Sequence, residues 1–230
     1  MAENDAKRAA AEAAIAEVRD DMLVGLGTGS TAAYAIAGLG RRIAGGLRMS
    51  AVATSLATEA AARAAGIPLL PFEDVSQVDI AIDGADEIDP AFRAIKGGGG
   101  ALLREKIVAA SARRMICIVD ASKTVRQLGA HPLPIEVLPF ARSFVSEAVR
   151  GLGGEPRLRL GPTGEPARSD QGNLLIDCAF GPIVAPEALA AALSDIPGML
   201  GHGLFLREID ALVIGGPNGI ERRERSTTVR

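Results

Sequence analysis

Most of the groups able to do chemistry in this chain fall into three short clusters. They are Gly27-Thr28-Gly29-Ser30-Thr31, Asp83-Gly84-Ala85-Asp86-Glu87 and Lys96-Gly97-Gly98-Gly99-Gly100. Each follows a run that reads as a buried strand or opens one that reads as a helix. In an α/β sheet the carboxyl ends of the parallel strands share one edge, and ligands bind along it. Three clusters on that edge would gather hydroxyls, carboxylates, an ammonium and two glycine-rich backbone nests. Such a set suits a small ligand that is both phosphorylated and hydroxylated.

The first cluster is not a dinucleotide fingerprint. Read from Gly25, G-x-G-x-x-G fails at Ser30; read from Gly27, it fits only the variant ending in Ala32. The next strand ends in Ala53-Thr54, where a ribose-binding acid would be expected. No lysine is present to make a P-loop. What remains is a glycine turn at a helix start, where backbone N–H groups and the helix dipole favour an anion. An ordinary tight turn, with Ser30 and Thr31 as capping hydroxyls, fits the same residues.

In the second cluster Asp83 and Asp86 are spaced to face one ligand, whereas Glu87 and Asp89 are expected to point to solvent. These acids suit sugar hydroxyls or a proton relay; an Asx-type loop and a magnesium site are the alternatives. No other acidic cluster completes a metal shell in the sequence, and Lys96 is the natural counter-charge. The four glycines after Lys96 cost conformational entropy, which implies a backbone that must approach something closely. Lys96 would then be a fixed positive charge beside a developing oxyanion.

Glu105 lies in the second turn of the helix that follows and shares a face with Ala101, Val108 and Ala109. A carboxylate on that apolar stripe would have a raised pKa and suit a general base. Helix position alone favours a solvated glutamate between Arg104 and Lys106, because charged residues are rarely buried. Lys123, after Val119-Asp120-Ala121-Ser122, is placed at a strand end to meet an anion. Lys7, in the N-terminal helix, is by default solvated.

The elements that must position these groups alternate, strand and helix, over about the first 130 of 230 residues, which implies a parallel sheet with right-handed crossovers. Strands are expected at 22–26, 48–54, 79–82 and 115–119, with helices at 30–39, 55–65 and 101–113. From Pro132 the order becomes β-α-β-β-α-β: strands at 133–138, 156–160, 173–179 and 203–206, helices at 142–151 and 186–194. That is the ferredoxin-like order. The last apolar run, Ala211 to Ile214, rejoins the first sheet, and Glu221 to Arg225 reads as a solvated tail. The expected fold is α/β: a mostly parallel sheet domain (1–131 and 206–230) interrupted by a ferredoxin-like α+β domain (132–205).

Composition narrows the function classes. Hydrophobic residues make up 48% of the chain and aromatics only 3%, with no Trp and one Tyr, so a stacking platform for single-stranded nucleic acid is not expected. A formal charge of −3 gives no basic footprint, so local charges must hold any anionic ligand. Cys117 and Cys178 sit in apolar runs and read as buried thiols; two distant histidines, His131 and His202, offer little to a metal. No signal-peptide or membrane-spanning segment is read, and a soluble cytoplasmic protein is expected.

Taken together, these residues resemble the A-type ribose-5-phosphate isomerase family over nearly the whole chain. The resemblance rests on Gly27–Thr31, Asp83–Glu87, Lys96–Gly99, Arg104-Glu105-Lys106, Asp120-Ala121-Ser122-Lys123, Pro132–Val137 and Ile196-Pro197-Gly198. It implies that the mostly parallel sheet domain is Rossmann-like beside a ferredoxin-like second domain. It also implies a homo-oligomer, commonly a dimer, acting in the non-oxidative pentose phosphate pathway without a redox cofactor or an obligatory metal. It makes Glu105 the catalytic base, with Asp83 and Lys96 also catalytic and Asp86 lining the sugar site. Thr28, Gly29, Ser30, Thr31, Gly84, Ala85, Gly97, Gly98 and Gly99 fall on substrate-binding segments, and Lys123 and Lys7 on phosphate contacts. Gly100, Leu103 and Gly215-Gly216-Pro217-Asn218 depart from the common pattern without removing a chemical group. A non-catalytic sugar-phosphate sensor and a related sugar-phosphate isomerase or deaminase are the competing readings.

Overall fold

The computed structural model describes residues 3–226. Its elements in chain order are α1 (Glu3–Ile15), β1 (Leu23–Leu26), α2 (Ser30–Ala44), β2 (Ser50–Ala53), α3 (Leu56–Ala64), β3 (Ile80–Asp83), β4 (Glu87–Ile88), β5 (Ala94–Ile95), α4 (Leu102–Ser111), β6 (Met115–Asp120), β7 (Leu133–Val137), α5 (Arg142–Gly151), β8 (Glu155–Leu158), β9 (Leu174–Ala179), α6 (Pro186–Ser194), β10 (Met199–His202), β11 (Leu204–Phe205), β12 (Ala211–Gly216) and β13 (Gly219–Glu224). By contacts they form two compact units. One comprises the described residues up to Ala85, Arg104–Thr124 and those from Arg207 onward; the other is Asp86–Leu103 with Val125–Leu206.

The first unit is built on a six-stranded sheet in the order β13-β12-β6-β3-β1-β2. All neighbours are parallel except the antiparallel pair β12 and β13. Helices cover its inner strands, so these read as continuous apolar runs, and β6 is buried along its whole length. Ile15, Leu26, Leu39, Ile82, Ile116 and Ile118 lie in the core. Small residues let the layers close up. A side chain at Gly215 would meet the Ala6 carbonyl oxygen 2.0 Å away, and one at Gly25 would meet Val108 of α4 at 2.5 Å.

The direction of α4 matters for chemistry. Its C-terminal end lies beside the amino end of β3, where Val78 N–H donates to the Ser111 carbonyl. The helix therefore runs against the strands, with its N-terminal turns toward their carboxyl ends. A rise of about 1.5 Å per residue carries Glu105 roughly one turn past the level of Gly25, toward Gly27 and Thr28.

The second unit contains a four-stranded antiparallel sheet in the order β10-β7-β9-β8. With α5 and α6 between the strands this is the ferredoxin-like topology. One face packs Ile135, Val137, Ile176 and Cys178 against Val145, Val149 and Leu193 of the two helices. A second, three-stranded sheet in the order β11-β5-β4 belongs to the same unit. It groups residues 86–103 here, although the alternating pattern suggests the first domain for them.

Three local expectations are corrected. The fourth ferredoxin-like strand is β10 (Met199–His202), paired with β7; the apolar run at 203–206 instead contributes β11, paired with β5. Apolar content marked a strand there but could not choose its partner. The charged stretch at Glu221–Arg225 is largely strand β13, an edge in full register with β12. Backbone bonding needs no apolar face, and charged side chains on an edge oppose further pairing. Finally, the N-cap of α2 is Gly29 at φ +110°, not a hydroxyl residue. Ser30 is already helical, because the left-handed conformation before it is one that glycine adopts without cost.

Candidate active site

On the first unit, β1 and β3 are neighbours whose onward connections leave in opposite directions, to β2 on one side and to β6 on the other. Ligands of open α/β sheets bind outside the carboxyl ends at such a switch point. Thr28 and Asp83 sit there. Asp83 ends β3, is 3% exposed, and its Oδ1 accepts N–H bonds from Thr28 at 3.0 Å and Gly84 at 2.7 Å. The bond to Thr28 ties two of the three sequence clusters together across the switch point.

The Thr28 hydroxyl joins a cluster that the sequence reading did not single out. It lies 2.9 Å from the hydroxyls of Thr54 and Ser55 and 3.1 Å from that of Thr58. Thr54 donates to the Leu26 carbonyl and Thr58 to the Gly27 carbonyl, so the start of the glycine turn is pinned at two successive carbonyls. Ser55 also caps α3 by accepting from Thr58 N–H. The available signal was a hydroxyl pair at the end of β2, the strand next to β1. The α2 N-terminus beyond the turn carries no side-chain cap, and Ser30 is exposed while Thr31 is buried.

Glu105 is 4% exposed, on the buried stripe with Ala101, Val108 and Ala109. The stripe, not its flanking charges, decides its fate. Lys123 is half-buried at the end of a short turn after β6. That turn is capped by Asp120, whose Oδ1 accepts from Ser122 N–H at 3.0 Å. Lys7 is buried rather than solvated. Its ammonium pairs with Glu3 at 2.5 Å, and this hydrogen bond holds it above the usual lysine value, with Asp120 adding a smaller pull. The first unit thus brings Thr28–Thr31, Asp83–Ala85, Glu105, Lys123 and Lys7 to the carboxyl edge of one sheet.

The second unit holds the remaining predicted residues. Lys96 is 2% exposed, its N–H donates to the Gly203 carbonyl at 2.9 Å, and its ammonium lies 5.3 Å from the centre of the Phe205 ring. A buried cation over an aromatic face is electrostatically favourable. Asp86 is half-buried and accepts from Gly98 N–H at 2.8 Å. Gly97 adopts φ +103°, and a side chain at Gly98 would strike Asp86 at 2.7 Å. Gly98 and Gly99 are exposed.

Glu87 and Asp89 do not point to solvent. Both are buried: Glu87 accepts from the N–H groups of Gly129 and His131, and Asp89 from Ala91 N–H, Arg93 N–H and the Arg93 guanidinium. They staple loops, which accounts for two of the four acids in residues 83–89. Among the described residues no three His, Cys, Asp or Glu side chains come together as a metal-binding group. No described helix is long and apolar enough to cross a membrane.

Residues 50–219 match the family described as ribose 5-phosphate isomerase A (phosphoriboisomerase A). The ribose-5-phosphate isomerase A of Sphingopyxis alaskensis is 55% identical over 219 residues, covering 95% of this chain and 96% of the relative. That of Thermomicrobium roseum is 48% identical over 231 residues, covering 100% and 98%. Among solved structures, a D-ribose-5-phosphate isomerase in complex with phospho-erythronic acid superposes with TM-score 0.95 at 37% identity, over 98% of this chain and 100% of that one. The ribose 5-phosphate isomerase A of Methanocaldococcus jannaschii gives 0.93 at 38% identity, over 97% and 100%. Full-length likeness in sequence and in fold settles the kinship: the chain belongs to the ribose-5-phosphate isomerase A family.

Proposed function

We propose that the chain interconverts D-ribose 5-phosphate and D-ribulose 5-phosphate, moving a proton between C2 and C1 through an enediolate. The observation that carries this reading is Glu105: a carboxylate 4% exposed, on a helix whose N-terminal turns face the carboxyl edge that holds Asp83 and Thr28. An acid kept from water at a sheet's ligand-binding edge is suited to take a proton from carbon.

Asp83 opens the sugar ring by handling the hydroxyl proton. Glu105 then removes the C2 proton of the open aldose, leaving an enediolate with its charge on O1. A proton passes from O2 to O1 and Glu105 returns its own to C1, so every proton taken is restored. Lys96 offsets the charge on the enediolate oxygen, and Asp86 orients hydroxyls. Ser30, Thr31, Lys123 and Lys7 hold the phosphate, with backbone contacts from Gly29, Gly84, Ala85 and Gly97–Gly99 and a hydroxyl from Thr28. Binding energy at the remote phosphate fixes the reacting carbons. No step calls for a cofactor or a metal.

The test is conversion of ribose 5-phosphate in the presence of a chelator, by wild type and by Glu105→Gln. Wild type turns over, and the variant keeps its shape and substrate affinity while kcat falls about 10²–10⁴-fold, the contribution of a positioned acid–base group. Phosphoerythronate, the ligand class named for the structural relative, should inhibit, since its carboxylate imitates the planar pair of enediolate oxygens. Binding without turnover would instead mark a sensor, and turnover of another sugar phosphate alone would mark a related enzyme. The same reading takes the protein to be a cytoplasmic homodimer of the pentose phosphate pathway, and sedimentation of the purified chain checks its oligomeric state.

A further inference from the structure

We propose that Arg159 is a positioning residue for this isomerisation, a role that rests on the reading above. It sits one residue beyond β8, where its N–H donates to the Leu175 carbonyl and continues the ladder with β9. Asp177 of β9 grips its guanidinium on two sides, Nε to Oδ2 at 2.9 Å and Nη2 to Oδ1 at 2.5 Å. Such a fork leaves the remaining nitrogen fixed in direction. Nη1 donates to two successive carbonyls of the glycine loop, Gly97 at 3.2 Å and Gly98 at 3.1 Å.

The consequence follows from peptide geometry. In a trans peptide the C=O and the next N–H point opposite ways, and no described peptide bond is cis. Turning the Gly97 and Gly98 carbonyls onto Arg159 therefore turns the N–H groups of Gly98 and Gly99 away from it. The first of these lands on Asp86 at 2.8 Å. Arg159 thus sets the side on which the loop offers its donors, the side of the sugar-binding carboxylate. It does so from the residues immediately after Lys96, whose own N–H is fixed by Gly203.

The sheet face that carries Arg159 is shaped for this. Side chains on β7 and β9 alternate, so Ile135, Ile176 and Cys178 enter the helix-covered core, while Pro134, Leu175 and Asp177 line the other face. A side chain at Gly97 would touch Pro134 at 3.3 Å, and one at Gly100 would touch Leu175 at 3.0 Å. The glycine loop lies on that face, and glycine is what lets it lie so close. By contrast Arg157, two residues earlier, holds an 81% exposed side chain paired at 3.7 Å with Glu155.

The experiment measures ribose 5-phosphate isomerisation by wild type, Arg159→Ala, Arg159→Lys and Arg157→Ala, with melting curves for each. For Arg159→Ala kcat should fall about 10²-fold, as for an ångström-scale misplacement, while KM moves by about threefold at most. Guanidinium chloride well below denaturing concentration should restore part of the lost rate to Arg159→Ala and none to wild type. Lysine cannot reproduce the fork, so Arg159→Lys stays impaired, and Arg157→Ala keeps full activity. A folded Arg159→Ala with wild-type kcat overturns the proposal, as does a loss that guanidinium leaves untouched. If wild type itself fails to isomerise ribose 5-phosphate, the functional reading falls instead.

Discussion

Adjacent residues on one helix meet different fates here because the helix face, not the sequence neighbourhood, sets their solvent. Glu105 is buried, Lys106 half-buried and Ile107 exposed. Burial pushes the Lys106 ammonium down to about 8, with the charge of Glu208 opposing the shift in part. An unfolded lysine titrates near 10.4. Between these values the unfolded chain binds more protons than the folded one, so this residue's contribution to stability rises with pH through about 8 to 10.4. Below about pH 8 the penalty for the desolvated cation is fully present. Lys106→Met should therefore be more stable than wild type at pH 7, by at most about 3 kcal/mol, with the advantage shrinking at pH 10. Urea unfolding at the two pH values decides it, and an advantage that does not change with pH refutes it.

Lys96 differs in kind, being almost fully buried over an aromatic ring. Lys96→Ala should cost about 3 kcal/mol of transition-state stabilisation, as does removal of an oxyanion-hole donor. An unchanged rate at saturating substrate would remove it from the mechanism.

At the scale of elements, the turn between β1 and α2 works because its glycines leave room for neighbours. A Cβ at Gly27 would lie 2.0 Å from Asp83 Oδ1 and 2.5 Å from Asp83 Cβ. Gly27→Ala must displace that aspartate and break the Thr28–Asp83 bond. We expect a stability loss of about 1–3 kcal/mol from overpacking and a kcat lowered about 10²-fold. Gly151, the last residue of α5, has open space where a Cβ would go and no left-handed backbone. Gly151→Ala should leave activity intact and raise stability by about 0.5–1 kcal/mol. Melting curves and steady-state kinetics of the pair separate a glycine required by packing from one that is incidental.

At the scale of the molecule, each unit carries one buried thiol: Cys117 in the middle of β6 and Cys178 in β9, both fully covered. Burial raises the Cys178 thiol to about 12, with Asp177 adding to the effect, so it is unreactive as well as inaccessible. In Cys178→Ser the remaining thiol reports opening of the first unit, and in Cys117→Ser that of the second. A thiol reagent at neutral pH should label neither variant until denaturant is added. Rapid labelling of the folded protein would show that the sheet concerned opens without global unfolding.

The alternation of strand and helix, the glycine turns and the ferredoxin-like order were legible in the sequence because each rests on local periodicity and backbone permission, which neighbouring residues fix among themselves. So was the crowding of polar groups and glycines into three short clusters, because it is a property of adjacent residues. What local pattern could not supply was partnership. The stapling by Glu87 and the hydroxyls behind Thr28 depend on residues tens of positions away, the strand status of Glu221–Glu224 on a hairpin partner, and the burial of Glu105 on which face of its helix is covered. A polar side chain looks alike in sequence whether water or a distant backbone N–H satisfies it; only the folded chain shows which, because only there are the distant groups brought within bonding range.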